Sequence, residues 1–447
     1  MVTFKQTALL GAMCFLPLSG AFAAADADMQ AILNKLNALS DRVESLEQEN
    51  KSLRTQLESA PPAASNLPVP FPGAARPAKD EKYSMTIPGT DTTVKLGGYV
   101  KADTILDVGS SYGGDFARFA SIPLDGSSAA DDTSQFHMHA RNTRFNLTTT
   151  TPSVLGDIKT FAEIDFYGTR GSDLVTNGHA PQLRQAYGQV GGLLAGQTWS
   201  NFMDLALYPE SLDFVGPAGI TLLRQTQVRW SDTLGDGLSY SISAENPNAD
   251  FTNGSTDAVS SLDRAPDVVA GLNQNTSWGM WSARALLRDI SVKNNTTGDT
   301  DSAFGLSGAL GARINTVGKD NLKLRATYGN GMGRYIYDIA TSAQSSAYNN
   351  GELDAQTGFA GYASYQHYWT DTLRSNFMGG YVWMDNETSL IGQANNETIW
   401  SGHANLIWEP VPQYKVGLEY IHGERELDNG TDGQLDRFMA SFIYNLN

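Results

Sequence analysis

The feature that most restricts this chain is an alternation of period two in which one parity is apolar and the other carries polar and charged groups. Near the C-terminus, Phe438, Ala440, Phe442, Tyr444 and Leu446 fall on one face of an extended chain, with Arg437, Met439, Ser441 and Asn445 on the other. The split recurs with Phe304, Leu306, Leu310, Ala312 and Ile314 against Ser307, Arg313 and Asn315. It returns with Leu322, Leu324, Ala326 and Tyr328 against Lys323, Arg325 and Thr327, and with Leu238, Tyr240, Ile242 and Ala244 against Ser239, Ser241, Ser243 and Glu245. A face that carries Arg, Lys and Glu along whole strands has to be wet, because unpaired charge is not tolerated in apolar surroundings. The opposite face therefore meets something other than water. A closed antiparallel sheet in lipid, apolar outside and polar inside, satisfies both demands and leaves no open edge.

About sixteen such strands are expected, starting near 94, 136, 157, 182, 192, 221, 237, 265, 277, 303, 321, 356, 372, 397, 413 and 433. Their connections alternate in length. Short turns fall at 152–156, 233–236, 317–320, 370–371 and 410–413, and longer loops at 108–135, 200–220, 247–264 and 331–355. Short periplasmic turns and long external loops are the outer-membrane pattern, and Trp230, Trp281, Trp369, Trp383, Trp400 and Trp408 fall near strand ends, where interfacial aromatic girdles belong. The expected fold is all-β, a sixteen-stranded antiparallel transmembrane β-barrel over 83–447, preceded by a short α-helical coiled coil. An even strand number leaves both barrel ends on the periplasmic side.

The N-terminal region supplies the compartment. Lys5, the apolar stretch 8–19 and Ala21-Phe22-Ala23 read as a secretory signal over 1–23. The single cysteine, Cys14, leaves with it, which suits passage through an oxidising periplasm. In 24–59, Met29, Ile32, Leu36, Leu39, Val43, Leu46, Asn50, Leu53 and Leu57 alternate spacings of three and four, the a and d positions of an oligomerising coiled coil. Asn50 at an a position would fix the register, while the order of the oligomer, two or three, stays open on these residues. A Pro- and Ala-rich spacer occupies 60–82. No later apolar run is long enough for a membrane helix, and a net charge of -17 argues against nucleic acid.

Several motifs carry a family likeness. Thr86-Ile87-Pro88-Gly89-Thr90 followed by Val94-Lys95-Leu96-Gly97-Gly98-Tyr99-Val100-Lys101-Ala102-Asp103 resembles the opening of DcaP-like outer-membrane porins, as do the signal, coiled coil and spacer before it. Similar to the same family are Arg141-Asn142-Thr143-Arg144-Phe145, Glu163-Ile164-Asp165-Phe166-Tyr167-Gly168, Ala195-Gly196-Gln197-Thr198-Trp199-Ser200, the stretch from Tyr328 to Tyr335, and Gly417-Leu418-Glu419-Tyr420. The resemblance implies a trimeric, sixteen-stranded channel for small anionic solutes, notably dicarboxylates, with a periplasmic coiled coil. The chain departs from the usual aromatic last residue of such barrels by ending Tyr444-Asn445-Leu446-Asn447.

Charge is distributed unevenly along the strands and loops. Acidic residues crowd the loops expected outside, among them Asp125, Asp131, Asp204, Glu210, Asp213, Asp250, Asp257 and Glu352. Basic residues sit at inward parity: Lys95, Lys101, Arg144, Arg229, Arg284, Arg288, Arg313, Arg325, Arg374 and Arg437, with Arg184 on a strand that alternates poorly. These eleven are the candidate pore-lining and anion-binding groups, since guanidinium offers carboxylates bidentate contacts. Some serve to stiffen the wall by pairing with Asp103, Glu163, Asp165, Glu245 and Glu419. The loop 200–220, with Phe202, Met203, Leu207, Leu212 and Phe214, is apolar enough to fold inward and narrow the lumen.

No catalytic residue, metal site or cofactor is expected. The histidines His137, His139, His179, His367, His403 and His422 are scattered, His137-Met138-His139 near Asp131 and Asp132 is a weak metal pattern, and Ser401 with His403 lacks an identifiable activating partner. Two functions remain. One is a porin for passive diffusion of small anionic solutes, probed by ion selectivity; the other is a structural or adhesive envelope trimer linking the outer membrane to peptidoglycan or a host surface. Expected partners are two further copies of the chain, outer-membrane lipid and lipopolysaccharide, small anions and, through the coiled coil, peptidoglycan. Deleting 24–79 should leave a folded barrel and remove the helical contribution to circular dichroism; loss of the barrel would contradict this division of the chain.

Overall fold

A computed structural model describes residues 84–446 except 111, 132–133 and 170–175, and, nearer the N-terminus, residues 41, 42, 44, 45, 48 and 51. The chain divides into two units, Met1–Leu67 and Pro68–Asn447. In the first, Asp41, Arg42, Glu44, Ser45, Gln48 and Lys51 are helical and exposed. The signal 1–23, the heptad positions from Met29 to Leu57 and the spacer 60–82 lie outside the described residues.

In the second unit sixteen long antiparallel strands close on themselves. They are β1 (Thr93–Val108), β2 (Ser134–His139 continued by Arg144–Thr151), β3 (Ile158–Asp165), β4 (Gln182–Val190), β5 (Leu193–Trp199), β6 (Arg224–Gly235), β7 (Leu238–Glu245) and β8 (Asp267–Thr276). There follow β9 (Gly279–Asn294), β10 (Thr300–Asn315), β11 (Asn321–Asn330), β12 (Thr357–Tyr368), β13 (Leu373–Asp385), β14 (Asn396–Val411), β15 (Tyr414–Leu427) and β16 (Asp432–Asn445). Each pairs with its neighbour in sequence, and β1 pairs with β16 from Tyr99↔Asn445 to Val108↔Asp436, which removes the last edge. Every strand begins within three residues of its expected position. One turn is tighter than the sequence suggested: β6 and β7 join through Asp236-Gly237 alone, at φ 50° and 78°, a conformation that favours this dipeptide.

Apolar parity points outward throughout. Phe438, Phe442, Leu306, Leu310, Leu324, Tyr328 and Ile242 are exposed on the outer wall, and Trp230, Trp369, Trp400 and Trp408 join them. On the inner parity, Arg437, Ser441, Ser307, Arg325, Ser241, Ser243 and Glu245 are buried.

The inner wall is nonetheless not polar all round. On β12 to β16, near the long loops, Ala360, Val382, Met384, Ile399, Ile421 and Leu435 face inward and form one buried cluster with Ala117, Phe119 and Ile122 from loop L1 (109–133), Ala218 from loop L3 (200–223), and Met332, Ile336 and Ile339 from loop L6 (331–356). Three loops therefore fold into the barrel and cover this sector, which is why it can be apolar. L3 runs across the interior: Phe202 packs on Val269, Leu286 and Ala309, and Leu212 on Ile105, Ile407 and Met439. Its closest approach is at Gly380 of β13, where a Cβ would stand 2.0 Å from the Ala218 carbonyl oxygen. Gly380→Val should push L3 from the wall at about 1–3 kcal/mol. Single-channel recording should show larger and noisier openings; unchanged current would contradict this packing.

Candidate functional site

L3 is fixed by the basic groups of the wall. Arg284 donates to the Asn201 carbonyl at 2.9 Å and pairs with Asp204 at 3.4 Å. Arg325 donates to Phe202 O, Lys101 to Leu212 O and Lys323 to Tyr208 O, each at 2.6 Å. Arg374 grips Glu210 with two hydrogen bonds of 2.6 and 2.7 Å, and Lys415 adds a third at 2.9 Å. Arg437, with no exposed surface, binds Asp107 at 2.6 Å and approaches Asp213 at 3.8 Å. From the acid side, Glu419 accepts from Ser211 Oγ and Leu212 N, and Ser401 Oγ accepts from Ala218 N at 2.8 Å. Asp204, Glu210 and Asp213, expected in an external loop, are thus inside the barrel, because each finds a wall cation there.

The eleven candidate residues consequently separate. Lys101, Arg284, Arg325, Arg374 and Arg437 are inward as expected, but their charged ends are engaged by L3. Arg288 is inward and holds other segments, donating to Gly331 O at 2.6 Å and Asn248 O at 2.8 Å and pairing with Asp267 at 3.3 Å. Arg229 lies inward and is buried. Lys95 and Arg313 are half-buried on β1 and β10.

Arg144 on β2 and Arg184 on β4 lie beside Phe214 of L3. Two irregularities aim them. β2 breaks at 140–143, where Thr143 Oγ1 accepts from Lys101 N at 3.2 Å; Arg141 sits in the break and Arg144 follows it. Gly98 opposite, at φ 134°, admits the chain: a Cβ there would lie 2.1 Å from Arg144 O. In β4, Glu163 pairs with Gln185 and Ile164 with Leu183, so Arg184 is the additional residue of a β-bulge and turns inward beside Gln185. That bulge is the reason its strand alternates poorly.

The result is a ring of guanidinium groups around aromatic faces. Arg144 and Arg184 sit 5.6 and 4.8 Å from the centre of the Phe214 ring of L3, and both pair with Asp165, Arg144 also with Glu163 at 3.4 Å. Phe116, Tyr167 and Phe214 pack at 5.3–5.5 Å, with Arg141 over Tyr167 at 5.0 Å and Arg118 over Phe116 at 4.8 Å. Arg224, absent from the sequence-derived set, stacks 3.4 Å over Trp199 and feels the charges of Arg144, Arg184, Glu163 and Asp165. Its Nε and Nη2 have no hydrogen-bond partner among the described residues. It opens β6, where the alternation has not yet begun, so parity could not place it; nor could it place Arg141, which sits in the break of β2.

The matching family model spans residues 83–436 and describes a porin subfamily. The chain belongs to that family. Its members are channels, and a channel narrowed by an inward loop is what the geometry provides. The fold matches the crystal structure of the outer membrane channel DcaP of Acinetobacter baumannii with a TM-score of 0.70 and 23% identity, over 81% of this chain and 100% of that one. It also matches OmpF of Salmonella typhi, solved with daunomycin, with a TM-score of 0.51 and 12% identity over 81% and 100% of the two chains. No curated protein matches the chain. This porin is thus DcaP-like in fold, with an outer-membrane barrel for passive diffusion.

Burial alone would raise the Glu210 carboxyl, but hydrogen bonds and charge from Arg374 and Lys415 outweigh it and hold the group at about 2. A carboxyl held low in the folded porin stabilises the loop above its ordinary range near 4.5 and loses that contribution as pH falls toward 2. Channel noise from L3 should therefore rise between about pH 4.5 and 2. Glu210→Gln should be noisy already at pH 7 and lack this step; a quiet variant with the step intact would contradict the clamp.

Proposed function

We propose that this porin favours small anions, dicarboxylates above all, and that Arg144, Arg184 and Arg224 form the selective part of the passage. The observation that carries the reading is the pair of guanidinium groups sharing Phe214 and Asp165, next to a third whose Nε and Nη2 have no partner among the described residues. A carboxylate replaces water there with charge-assisted hydrogen bonds, and a second carboxylate on the same solute meets a second cation. Glu163 and Asp165 keep the site from being too basic. That restraint is useful, since a pore has to release what it recruits, and a millimolar affinity, about 4 kcal/mol, serves both ends.

The remaining basic residues have a different place in this proposal. Arg284, Arg325, Arg374 and Arg437 hold L3 and so set the size of the opening, whereas Lys95, Arg229 and Arg313 extend the positive field along the wall. The working assembly we propose is a trimer in outer-membrane lipid and lipopolysaccharide, with 24–59 as a periplasmic coiled coil able to meet peptidoglycan.

Replacing Arg144 and Arg184 together by Glu should move the reversal potential toward cation preference and slow succinate permeation, less so at high salt because of screening. Arg264→Glu, in an exposed pair with Asp289 at 3.7 Å, should change neither. Unaltered selectivity in the double variant would refute the anion reading while leaving the channel itself in place.

A further inference from the structure

Outside the arginine cluster, β2 presents two imidazoles in a manner the channel reading does not use. His137 and His139 are two residues apart on a strand, so they share the inner face, while Met138 between them is 65% exposed on the outer wall. Their rings are stacked with centroids 6.0 Å apart and an interplanar angle of 23°. Asp115 of L1 folds onto the pair, its Oδ1 standing 3.6 Å from His137 Nε2 and 4.0 Å from His139 Nε2. One donor atom from each of the three residues falls within 4.8 Å of the others. The loop partner is thus Asp115, not the Asp131 and Asp132 that the sequence placed near these histidines.

A second observation separates this arrangement from an ordinary polar contact. Both ring nitrogens of His137 are buried and have no hydrogen-bond partner among the described residues. The 3.6 Å separation from Asp115 is too long for a hydrogen bond, and an unsatisfied buried group of this kind costs about 1–3 kcal/mol. His139 is already oriented: the Arg141 backbone N–H donates to its Nδ1 at 3.3 Å, and its Nε2 faces the Asp115 backbone oxygen at 3.3 Å. The Tyr167 ring, 6.0 Å from His139 and edge-on, limits access from one side.

We propose that His137, His139 and Asp115 form a binding site for a divalent transition-metal ion of the zinc type on the inner wall of the barrel. Two imidazole nitrogens and one carboxylate oxygen are a donor set that such ions accept, and solvent or a solute carboxylate completes the coordination. Ligand bonds of about 2.0–2.2 Å require the donor atoms to close by less than roughly 1 Å each. The ion takes over from Arg141, which pairs with Asp115 in the structure. Arg141 keeps other anchors, the carbonyl oxygens of Phe166 at 3.3 Å and Gly168 at 3.4 Å and the Tyr167 ring at 5.0 Å. Hard ions such as Mg2+ prefer oxygen donors and are excluded by the same chemistry.

The site stands apart from the anion preference, so the two can fail separately. The test is calorimetric titration of Zn2+ into the full-length, tag-free porin in detergent after chelator treatment, with Mg2+ as comparison. One zinc ion per chain is expected, with Mg2+ giving no isotherm. His137→Ala and His139→Ala should each abolish the zinc isotherm while the barrel still shows its heat-modifiable mobility. Independently of any substitution, Co2+ added to the unaltered protein should give the visible absorption of nitrogen-and-oxygen ligation, and zinc should bleach it. Absence of zinc binding, binding that survives both histidine substitutions, or a cobalt spectrum identical to that of the aqueous ion would overturn the proposal.

Discussion

A loop stays inside this barrel because the wall supplies cations for its backbone and its acids. From Asn201 to Ala218, L3 is met at one residue after another by a wall side chain, and most of those side chains are Arg or Lys. Such groups are costly to bury unpaired, and L3 brings each of them an acid or a carbonyl oxygen, with Asp103 and Asp107 of the wall adding to Lys101 and Arg437. Removing one partner would strand the other, so the clamp is mutual: without L3 the inner face of β9 to β16 would need water, and without the wall L3 would expose Phe202, Leu207 and Leu212. The apolar patch on β12 to β16 follows from the same condition, since only a covered inner wall can afford Ile399, Ile421 and Leu435.

L3 is clamped to β7 to β16 and, through Lys101 and Ile105, to β1, while its Phe214 ring meets Arg144 of β2 and Arg184 of β4. The functional consequence lies in which arginines are left. Clamped guanidinium groups hold L3, whereas Arg144, Arg184 and Arg224 gather on another part of the wall, the first two against the Phe214 ring and the third over Trp199. Two local irregularities, the break in β2 and the bulge in β4, aim the first two. Barrel strands of ideal alternation would put fewer cations at one level.

Much of this was legible in the residues. Strand positions followed from period two, the outward face from Phe438, Leu310 and their equivalents, and the inward turn of L3 from its apolar content. What parity could not reveal was occupancy. Arg374 and Arg144 have the same inward parity, yet one is engaged by Glu210 and the other faces Phe214, a distinction set by the path of a loop more than 160 residues away in the chain from Arg374. Arg184 was ambiguous because a bulge shifts parity by one, and Asp204, Glu210 and Asp213 looked external because their partners, Arg284, Arg374 and Arg437, lie on strands far along the chain. The inward folding of L1 and L6 was likewise unforeseen, although Phe119, Ile122, Ile336 and Ile339 are the apolar residues that drive it.

The central proposal, that the conducting path runs past the Phe214 side of L3 and not behind the loop, can be read with thiol chemistry. Cys14 is the only cysteine in the sequence, so single substitutions report cleanly. Phe214→Cys and Leu212→Cys place thiols two residues apart, one partly exposed to the passage and one 2% exposed behind the loop. Under single-channel recording, a small anionic thiosulfonate should react with Phe214→Cys and lower the current within the exposure, and should leave Leu212→Cys unaffected. Reaction at Leu212→Cys with Phe214→Cys inert would place the path on the other side of L3 and contradict the account.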